Sequence, residues 1–340
     1  MKTRVAINGF GRIGRLSFRI AFERTDIDIV AINDLTDTRT LAHLLKYDTN
    51  YGEYQHEISS TDSAITVDGR EIPVYAEKDP SKLPWSDHNV DVVIESTGRF
   101  TTEELASAHI KAGAKRVVLS APAKGGDVET IVIGANEDTL ETAGEIVSNA
   151  SCTTNSVAAV MDIMEQNFGV EKAMLTTIHS YTASQNLQDG PHKDLRSARA
   201  AAQNIVPATT GAAIATALTV PTLKNRFDGM SVRVPTSVVS LSDVTMVLKR
   251  DITKEQINDV FRKAAKEPYY QGIIAVSEEP LVSHDYIGNS HSGTVDLLLT
   301  NVVDGNLAKI VVWYDNEWGY SNRLVEQVAD TGRIIQKKKA

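Results

Sequence analysis

A short apolar strand that runs directly into a glycine-rich turn is the feature that most constrains the fold of this chain. Val5-Ala6-Ile7 precedes Asn8-Gly9-Phe10-Gly11-Arg12-Ile13-Gly14, and the residues that follow place apolar side chains on one side of a helix. Glycines in such a turn allow a tight bend, close approach of the backbone to a pyrophosphate, and close packing of helix on strand. The pattern therefore predicts a βαβ unit that binds a dinucleotide.

A carboxylate follows at the position where such units contact the adenosine ribose. The second buried strand, residues 27–32, ends at Asn33-Asp34, and Asp34 lies about 20 residues after Gly14. Its charge would repel a 2′-phosphate, so NAD is favoured over NADP; the alternative is a solvated turn carboxylate. The residues that we predict to bind the cofactor from this pattern are Gly9, Gly11, Arg12, Ile13, Gly14 and Asp34.

Further short buried strands in the first half end in small or polar residues. Residues 90–94, 116–119, 131–133 and 146–147 fit this pattern, which predicts a mostly parallel sheet with its ligand at the carboxyl ends of the strands. Thr97 and Ser120 stand at two of these ends. They are candidate residues lining the cofactor site, and simple loop caps are an equal alternative.

The length of 340 residues exceeds what one hydrophobic core usually organises, so two domains are expected. Residues 1–150 form the predicted α/β, Rossmann-like domain that binds NAD. The strands after residue 170 are separated by turns and predict an α+β domain with a mixed or antiparallel sheet over residues 151–314. Residues 315–340 contain a further amphipathic helix.

The single cysteine of the chain lies in a run of small polar residues, Ser148 to Asn155, between a strand and a helix. At such a junction, unpaired backbone N–H groups and the positive end of the helix dipole favour a thiolate over a thiol. A free cysteine is otherwise often an inert, buried small hydrophobe. Because its neighbours are Ser, Thr and Asn, we predict that Cys152 is a nucleophile.

One histidine follows a buried strand, residues 173–178, in the second half of the chain. His179 alone could be structural, but with a dinucleotide fold and a cysteine it indicates a specific reaction. A thiolate adds to an aldehyde, a hydride leaves to a nicotinamide and a thioester remains. The histidine would act as the base that takes the protons.

Two further features of the second half are candidate anion sites. Thr209-Thr210-Gly211 opens a helix whose first N–H groups could receive an anion, and Arg233 lies in a predicted strand. An arginine in a buried strand requires an anionic partner, which could be a protein carboxylate or a ligand. The long, weakly patterned segment 182–206 carries four basic candidates that could equally form a solvated face.

Charge and cysteine content limit the partners and the compartment. The formal net charge is −9, which argues against nucleic acid or an anionic membrane as the main partner. One cysteine fits a reducing compartment, no apolar run approaches membrane-spanning length, and the start of the chain has no signal-peptide pattern. We therefore expect a cytoplasmic protein without a metal site, since the histidines show no metal-binding spacing.

Several motifs together resemble the phosphorylating glyceraldehyde-3-phosphate dehydrogenases, essentially from end to end of the chain. These motifs are Asn8-Gly-Phe-Gly-Arg-Ile-Gly-Arg15, Ser148-Asn-Ala-Ser-Cys-Thr-Thr-Asn155, His179-Ser-Tyr-Thr182, Pro191-His-Lys-Asp-Leu195, Thr210-Gly211, Arg233-Val-Pro235 and Trp313-Tyr-Asp-Asn-Glu-Trp318. The resemblance, to the class I bacterial type, implies oxidation of glyceraldehyde 3-phosphate to 1,3-bisphosphoglycerate with NAD, a step of glycolysis and gluconeogenesis.

The resemblance also assigns roles to residues. Cys152 would be the nucleophile and His179 the base, with Asn316 and Tyr320 added to the cofactor contacts. Thr182 and Arg233 would hold the substrate phosphate. The inorganic phosphate would meet Ser151, Thr153, Thr210 and Gly211. The family resemblance further implies a homotetramer and a last helix that belongs with the first domain.

Two other functions stay open at this point. An erythrose-4-phosphate dehydrogenase would use the same thiol chemistry, although Tyr181-Thr182 and Thr209-Thr210-Gly211 resemble the glyceraldehyde-3-phosphate type. A non-catalytic NAD-binding scaffold or sensor is the alternative from another class. The Cys152 and His179 pair argues against it.

Overall fold

The computed structural model describes residues 1–337, and the chain divides into two compact units. The first comprises Met1–Ile131, Glu137–Ala150 and the chain from Ser321 onward, and the second comprises Val132–Asn136 and Ser151–Tyr320. The C-terminal helix therefore has most of its length in the first unit. Residues 338–340 of the predicted C-terminal segment lie outside the described residues.

The first unit is built on a nine-stranded sheet with helices. Its elements are β1 (Thr3–Asn8), α1 (Arg12–Phe22), β2 (Ile27–Asn33), α2 (Thr38–Lys46), β3 (Tyr47–Asp48), β4 (Gly52–Glu53), β5 (Ile58–Ser60), β6 (Ala64–Val67), β7 (Arg70–Tyr75), β8 (Val92–Glu95), α3 (Glu103–Lys111), β9 (Arg116–Leu119), β10 (Glu129–Thr130) and β11 (Ile146–Ser148). The sheet has the order β10-β11-β9-β8-β1-β2-β7-β6-β5, and β3 pairs with β4 separately.

The seven strands from β10 to β7 in this order pair in parallel, and β5 and β6 add an antiparallel edge. Residues 5–7 of β1 and residues 92–94 of β8 are all apolar and fully buried, as expected for parallel strands that are covered on both faces. The chain reverses its direction across the sheet between β1 and β8, so their carboxyl ends flank the crevice in which α/β folds bind ligands. The predicted Rossmann-like α/β fold is confirmed.

The predicted strand over residues 131–133 is wrong in its position. The strand is Glu129–Thr130, and the apolar residues 131–133 lead into a turn while remaining buried. Buried apolar residues outside a sheet have the same composition as a strand, so periodicity could not separate the two.

The hairpin between β6 and β7 turns at Asp68-Gly69, where both residues have positive φ, as the Asp-Gly pair indicates.

The second unit is built on an eight-stranded mixed sheet. Its elements are α4 (Cys152–Phe168), β12 (Val170–Ser180), β13 (Val206–Thr209), α5 (Ala212–Thr219), β14 (Phe227–Val234), β15 (Ser240–Leu248), α6 (Lys254–Ala264), β16 (Ile274–Ser277), β17 (Gly293–Asp296), β18 (Asn301–Val303) and β19 (Leu307–Tyr314). The order is β13-β14-β12-β15-β19-β17-β16, and β18 pairs with β19. The last helix of the chain, α7 (Trp318–Lys337), begins at the end of this unit.

α4 forms the centre of the second core. Val157, Val160, Met161 and Met164 lie on one face of the helix and are fully buried. The helix ends at Gly169, whose φ of 70° is accessible to glycine without steric cost. β17 ends at Asp296, and the apolar residues 297–299 that follow it form a turn. Among the described residues, no helix is long and apolar enough to span a membrane.

Candidate active site

A cavity of about 480 Å³ lies at the carboxyl ends of the parallel strands of the first unit. It is lined by Asn8, Gly9, Gly11, Asn33, Asp34, Leu35, Glu77, Lys78, Ser96, Thr97, Arg99 and Phe100. These residues follow β1, β2, β7 and β8, as the reversal in strand order predicts. The cavity contains four of the residues predicted to bind the cofactor: Gly9, Gly11, Asp34 and Thr97. The others that belong to this unit, Arg12, Ile13, Gly14 and Ser120, lie outside the lining.

The three glycines of the turn serve different purposes. Gly9 has a φ of +90°, and a Cβ there would lie 2.7 Å from the backbone nitrogen of Thr97. A Cβ on Gly14 would lie 2.1 Å from the carbonyl oxygen of Gly9, so this glycine permits close packing of α1. A Cβ on Gly11 would meet nothing within 4 Å, and Gly11 brings no capping side chain to the start of α1. The space at Gly11 thus fits a ligand pyrophosphate.

Asp34 stabilises the glycine-rich turn as well as lining the cavity. Its Oδ2 accepts a hydrogen bond of 2.7 Å from the Phe10 backbone N–H, and its Oδ1 accepts one of 2.9 Å from Thr36. Each carboxylate oxygen has a second lone pair, so ribose hydroxyls could still donate to it. The residues fit a dinucleotide, and the direct hydrogen bond from the turn to Asp34 is a contact that spacing alone did not predict.

Cys152 is the first residue of α4 in the second unit. Ser151 is the N-cap, and its Oγ accepts a hydrogen bond of 3.0 Å from the Thr154 N–H. The Sγ atom of Cys152 lies 3.4 Å from Nε2 of His179. A thiol and an imidazole nitrogen at this distance can exchange a proton, so the structure brings together the two residues that the sequence singled out.

The sheet register explains how a third residue joins this pair. β12 and β14 are parallel neighbours, and His179 is directly paired with Arg233. Nη1 of Arg233 lies 2.6 Å from Nδ1 of His179 and donates to the Ser180 carbonyl oxygen at 3.2 Å. Nδ1 also lies 2.7 Å from that oxygen. Arg233 can only donate, so its contact with Nδ1 and the contact of Nδ1 with the Ser180 oxygen require opposite tautomers of the ring. In the tautomer with the proton on Nδ1, the ring and Arg233 both donate to Ser180, and Nε2 is the acceptor for the thiol proton.

Burial dominates the electrostatics of the thiol and the imidazole. It raises the pKa of Cys152, and the nearby Arg233 charge and hydrogen bonds around Thr153 act in the opposite direction. Burial, with a smaller contribution from the same arginine, lowers the pKa of His179 to about 3. Desolvation therefore opposes the thiolate that the start of the helix favours. The thiolate depends on transfer of its proton to a neutral His179.

Asn316 is held in a single orientation by two serine hydroxyls. Its Oδ1 accepts hydrogen bonds from Ser180 Oγ at 3.0 Å and from Ser240 Oγ at 2.9 Å. Because Oδ1 is fixed in this way, Nδ2 is the group that Asn316 presents on its other side. Ser180 and Ser240 were not predicted, since serines in strands carry no pattern that points to a site.

The residues predicted to hold phosphate have different surroundings. Thr153 is buried, and its hydroxyl lies 2.9 Å from the hydroxyl of Tyr314, which also meets Thr177 at 2.8 Å. Thr182 Oγ1 lies 2.8 Å from Ser184 Oγ. Thr210 Oγ1 accepts a hydrogen bond from the Ala212 N–H, beside the open Gly211 at the start of α5. Tyr314 was missed because an aromatic residue at a strand end is usually part of the core.

The fold and the two sets of residues define a class of protein, an NAD-dependent dehydrogenase that uses a cysteine thiol. Among the described residues, no cluster of His, Cys, Asp and Glu could hold a metal ion. Residues 3–103 match the family model of the glyceraldehyde 3-phosphate dehydrogenase NAD binding domain, and residues 151–316 match that of the C-terminal domain. The chain belongs to the glyceraldehyde-3-phosphate dehydrogenase family.

Similar curated proteins cover nearly the whole chain. Glyceraldehyde-3-phosphate dehydrogenase of Thermotoga maritima is 55% identical over 95% of this chain and 97% of its own length. Glyceraldehyde-3-phosphate dehydrogenase 1 of Bacillus cereus is 52% identical over 96% of this chain and 98% of its own length. Glyceraldehyde-3-phosphate dehydrogenase of Geobacillus stearothermophilus is 52% identical over 97% of this chain and 98% of its own length. The predicted family, the NAD cofactor and the class of NAD-dependent oxidoreductase acting on an aldehyde are confirmed.

Proposed function

We propose that this protein oxidises glyceraldehyde 3-phosphate and phosphorylates the product to 1,3-bisphosphoglycerate. The observation that carries the proposal is the distance of 3.4 Å between Cys152 Sγ and His179 Nε2 at the start of α4. A scaffold that only binds NAD would not require a buried thiol next to a neutral imidazole. Family membership supports the choice of aldehyde.

The first step is addition of the thiol to the aldehyde carbonyl. His179 Nε2 accepts the Sγ proton, a bond forms between Sγ and the carbonyl carbon as the carbonyl π bond breaks, and His179 gives the same proton to the oxygen to form a thiohemiacetal. The positive charge of Arg233 and the N–H groups at the start of α4 stabilise the negative charge on sulfur and oxygen in this step.

The second step is oxidation of the thiohemiacetal. Bound NAD supplies the acceptor for the hydride that leaves the former aldehyde carbon. His179 accepts the proton of the thiohemiacetal hydroxyl at the same time, so that the carbonyl reforms as a thioester on Cys152. Asn316, oriented by its two serines, would bind the nicotinamide carboxamide through Nδ2.

The third step is transfer of the acyl group to inorganic phosphate. A phosphate oxygen attacks the thioester carbon, the bond to sulfur breaks, and the Cys152 thiolate leaves and takes back the proton that His179 accepted in the second step. We propose that Ser151, Thr153, Thr210 and Gly211 bind this phosphate, through backbone N–H groups where the hydroxyl is already engaged. Thr182 and Arg233 would bind the phosphate of the substrate.

The test compares glyceraldehyde 3-phosphate with erythrose 4-phosphate, each with and without inorganic phosphate, using NAD and then NADP. We expect NADH to form fastest with glyceraldehyde 3-phosphate, NAD and phosphate. Turnover that is independent of phosphate would reject the phosphorylating reaction, and faster turnover of erythrose 4-phosphate would favour the related enzyme. Cys152→Ala is the control: it should bind NAD but form no acyl-enzyme.

We also propose that the chain assembles as a homotetramer in the cytoplasm. A hollow of about 1060 Å³ on the second unit is bordered by the exposed apolar residues Met174, Ile214, Leu218 and Leu307. Exposed apolar side chains grouped in this way are typical of an interface. Light scattering should give a tetramer mass, and Leu218→Glu should reduce it. A monomeric wild-type protein at micromolar concentration would reject the assembly.

A further inference from the structure

A buried histidine and glutamate in the first unit have no role in the chemistry described above. His109 lies on α3 and Glu95 at the end of β8, and both side chains are almost completely buried. Nε2 of His109 lies 3.0 Å from Oε2 of Glu95. A buried carboxylate is costly unless hydrogen bonds satisfy it, so the arrangement around this pair needs a physical explanation.

The hydrogen-bond donors fix the proton on His109. The indole Nε1–H of Trp85 lies 3.0 Å from Nδ1 of His109. Because an indole nitrogen can only donate, Nδ1 must be an acceptor and the ring proton must be on Nε2. His109 is therefore neutral, and its Nε2–H donates to Glu95.

Glu95 in turn connects His109 to the cavity. Its Oε2 also accepts a hydrogen bond of 2.6 Å from Nδ2 of Asn8, and its Oε1 accepts from the backbone N–H of Thr97 at 2.8 Å and from the Thr97 hydroxyl. The carboxylate thus accepts four hydrogen bonds without a positively charged partner among them. Two of the three residues that donate to it, Asn8 and Thr97, line the cavity.

The same chain of hydrogen bonds continues to two more residues of the cavity. Oδ1 of Asn8 accepts from Nδ2 of Asn33 at 2.7 Å, and Oδ1 of Asn33 accepts from the Glu77 backbone N–H at 2.9 Å. Each amide therefore has one allowed orientation, because the Glu95 carboxylate only accepts from Asn8 and the Glu77 N–H only donates to Asn33. The chain joins the carboxyl ends of β1, β2 and β8 and the segment after β7.

We propose that His109 and Glu95 are positioning residues that set the affinity of the dinucleotide cavity. The inference rests on the proposed use of this cavity for the adenosine half of NAD. Without the Nε2–H donor, Glu95 keeps its buried charge with one hydrogen bond fewer, and Asn8 and Thr97 can rearrange around it. The strand ends would then lose the geometry that the ligand requires, although neither residue lines the cavity.

The test measures binding of NAD and of ADP-ribose by calorimetry in four variants of the full chain. His109→Gln offers an amide oxygen to Trp85 and an amide N–H to Glu95, as the neutral histidine does. His109→Leu offers neither, and Glu95→Gln places an amide N–H among hydrogen-bond donors. Lys111→Ala, on the exposed side of the same helix, is the matched control.

We expect His109→Leu and Glu95→Gln to weaken the binding of both ligands by about tenfold or more, because each leaves a buried polar group without its hydrogen-bond partner. His109→Gln and Lys111→Ala should stay within about threefold of the wild type. The KM for NAD should rise while the KM for the aldehyde and the rate of Cys152 alkylation stay unchanged. A purely structural role would lower the melting temperature without this selective loss.

Two results would overturn the inference. One is wild-type NAD affinity in a folded His109→Leu or Glu95→Gln protein, and the other is an equal loss in His109→Gln and His109→Leu. If His109→Leu does not fold, Glu95→Gln and His109→Gln decide the question. Failure of the wild type to bind NAD would instead reject the proposed function itself, so the two failures are distinguishable.

Discussion

The hydroxyl of Ser240 donates a hydrogen bond of 2.9 Å to Oδ1 of Asn316, and it also accepts one of 3.2 Å from the Ser180 N–H. Ser240→Ala removes both bonds, so that the Ser180 hydroxyl alone, at 3.0 Å, still orients the amide of Asn316. We expect the affinity for NAD to fall roughly threefold to tenfold, the value of one hydrogen bond. ADP-ribose, which lacks the nicotinamide, should bind as before. Equal losses for both ligands would contradict the orientation of Asn316.

His179→Asn removes the acceptor of the Cys152 proton. Burial, which raises the pKa of the thiol, would then act without the imidazole to receive the proton. We expect alkylation by iodoacetamide at pH 7 to slow by about 100-fold, and its pH midpoint to rise. NAD binding by the same variant serves as the control. An unchanged rate of alkylation would show that Nε2 does not accept the thiol proton.

Arg233→Gln separates substrate binding from the effect on the histidine. Loss of a charge-assisted contact should lower kcat/KM for glyceraldehyde 3-phosphate by roughly 10- to 100-fold, and that for unphosphorylated glyceraldehyde much less. Arg233 also contributes to the low pKa of His179, after burial. Its removal should raise that pKa, so the acid limb of the pH-rate profile should move to higher pH. An equal loss for both aldehydes would argue against phosphate recognition.

The glycines of the turn give a matched pair of variants. Gly14→Ala places a Cβ 2.1 Å from the Gly9 carbonyl oxygen. It should lower the free energy of unfolding by about 1–3 kcal/mol and weaken the binding of NAD. Gly11→Ala meets no protein atom within 4 Å and should leave the melting temperature unchanged. It should nevertheless lower the affinity for NAD by about tenfold or more, because the added methyl group fills the space proposed for the pyrophosphate. Calorimetry and thermal unfolding would detect both effects.

The raised pKa of His56 predicts that the free energy of unfolding depends on pH. Burial opposes its protonation, but hydrogen bonds of 2.7 Å to Asp68 and Glu23 outweigh burial and raise the pKa of His56. Since the folded pKa exceeds the unfolded value of about 6.5, the stabilisation is full below that pH and is lost as pH rises through the folded pKa. His56→Gln should remove this step, which exposure limits to below about 1 kcal/mol. Urea unfolding of the wild type and of His56→Gln between pH 5 and 9 would measure the difference in their free energies of unfolding. We expect this difference at pH 5 and its loss at pH 9; a difference that persists at pH 9 would contradict the prediction.

The sequence indicated the dinucleotide turn, Cys152 and His179 because each follows a strand or precedes a helix, and such positions are visible as breaks in apolar periodicity. It did not indicate Ser180, Ser240 or Tyr314. Their hydroxyls contact residues far away in the chain, which strand pairing brings near. The effect of burial on the pKa of Cys152 was not predicted, for a related reason. Helix position can be deduced from local sequence, whereas desolvation depends on the packed surroundings of the thiol.

Cys152 carries the only thiol in the chain, and Ser156, one turn further along α4, donates a hydrogen bond of 2.9 Å to the Thr153 carbonyl oxygen. An oxidant that converts Cys152 to a sulfenic acid therefore leaves no second thiol within the polypeptide to form a disulfide. Recovery must come from a thiol outside the chain. The working lifetime of this protein under oxidative stress will accordingly depend on the surrounding pool of small thiols.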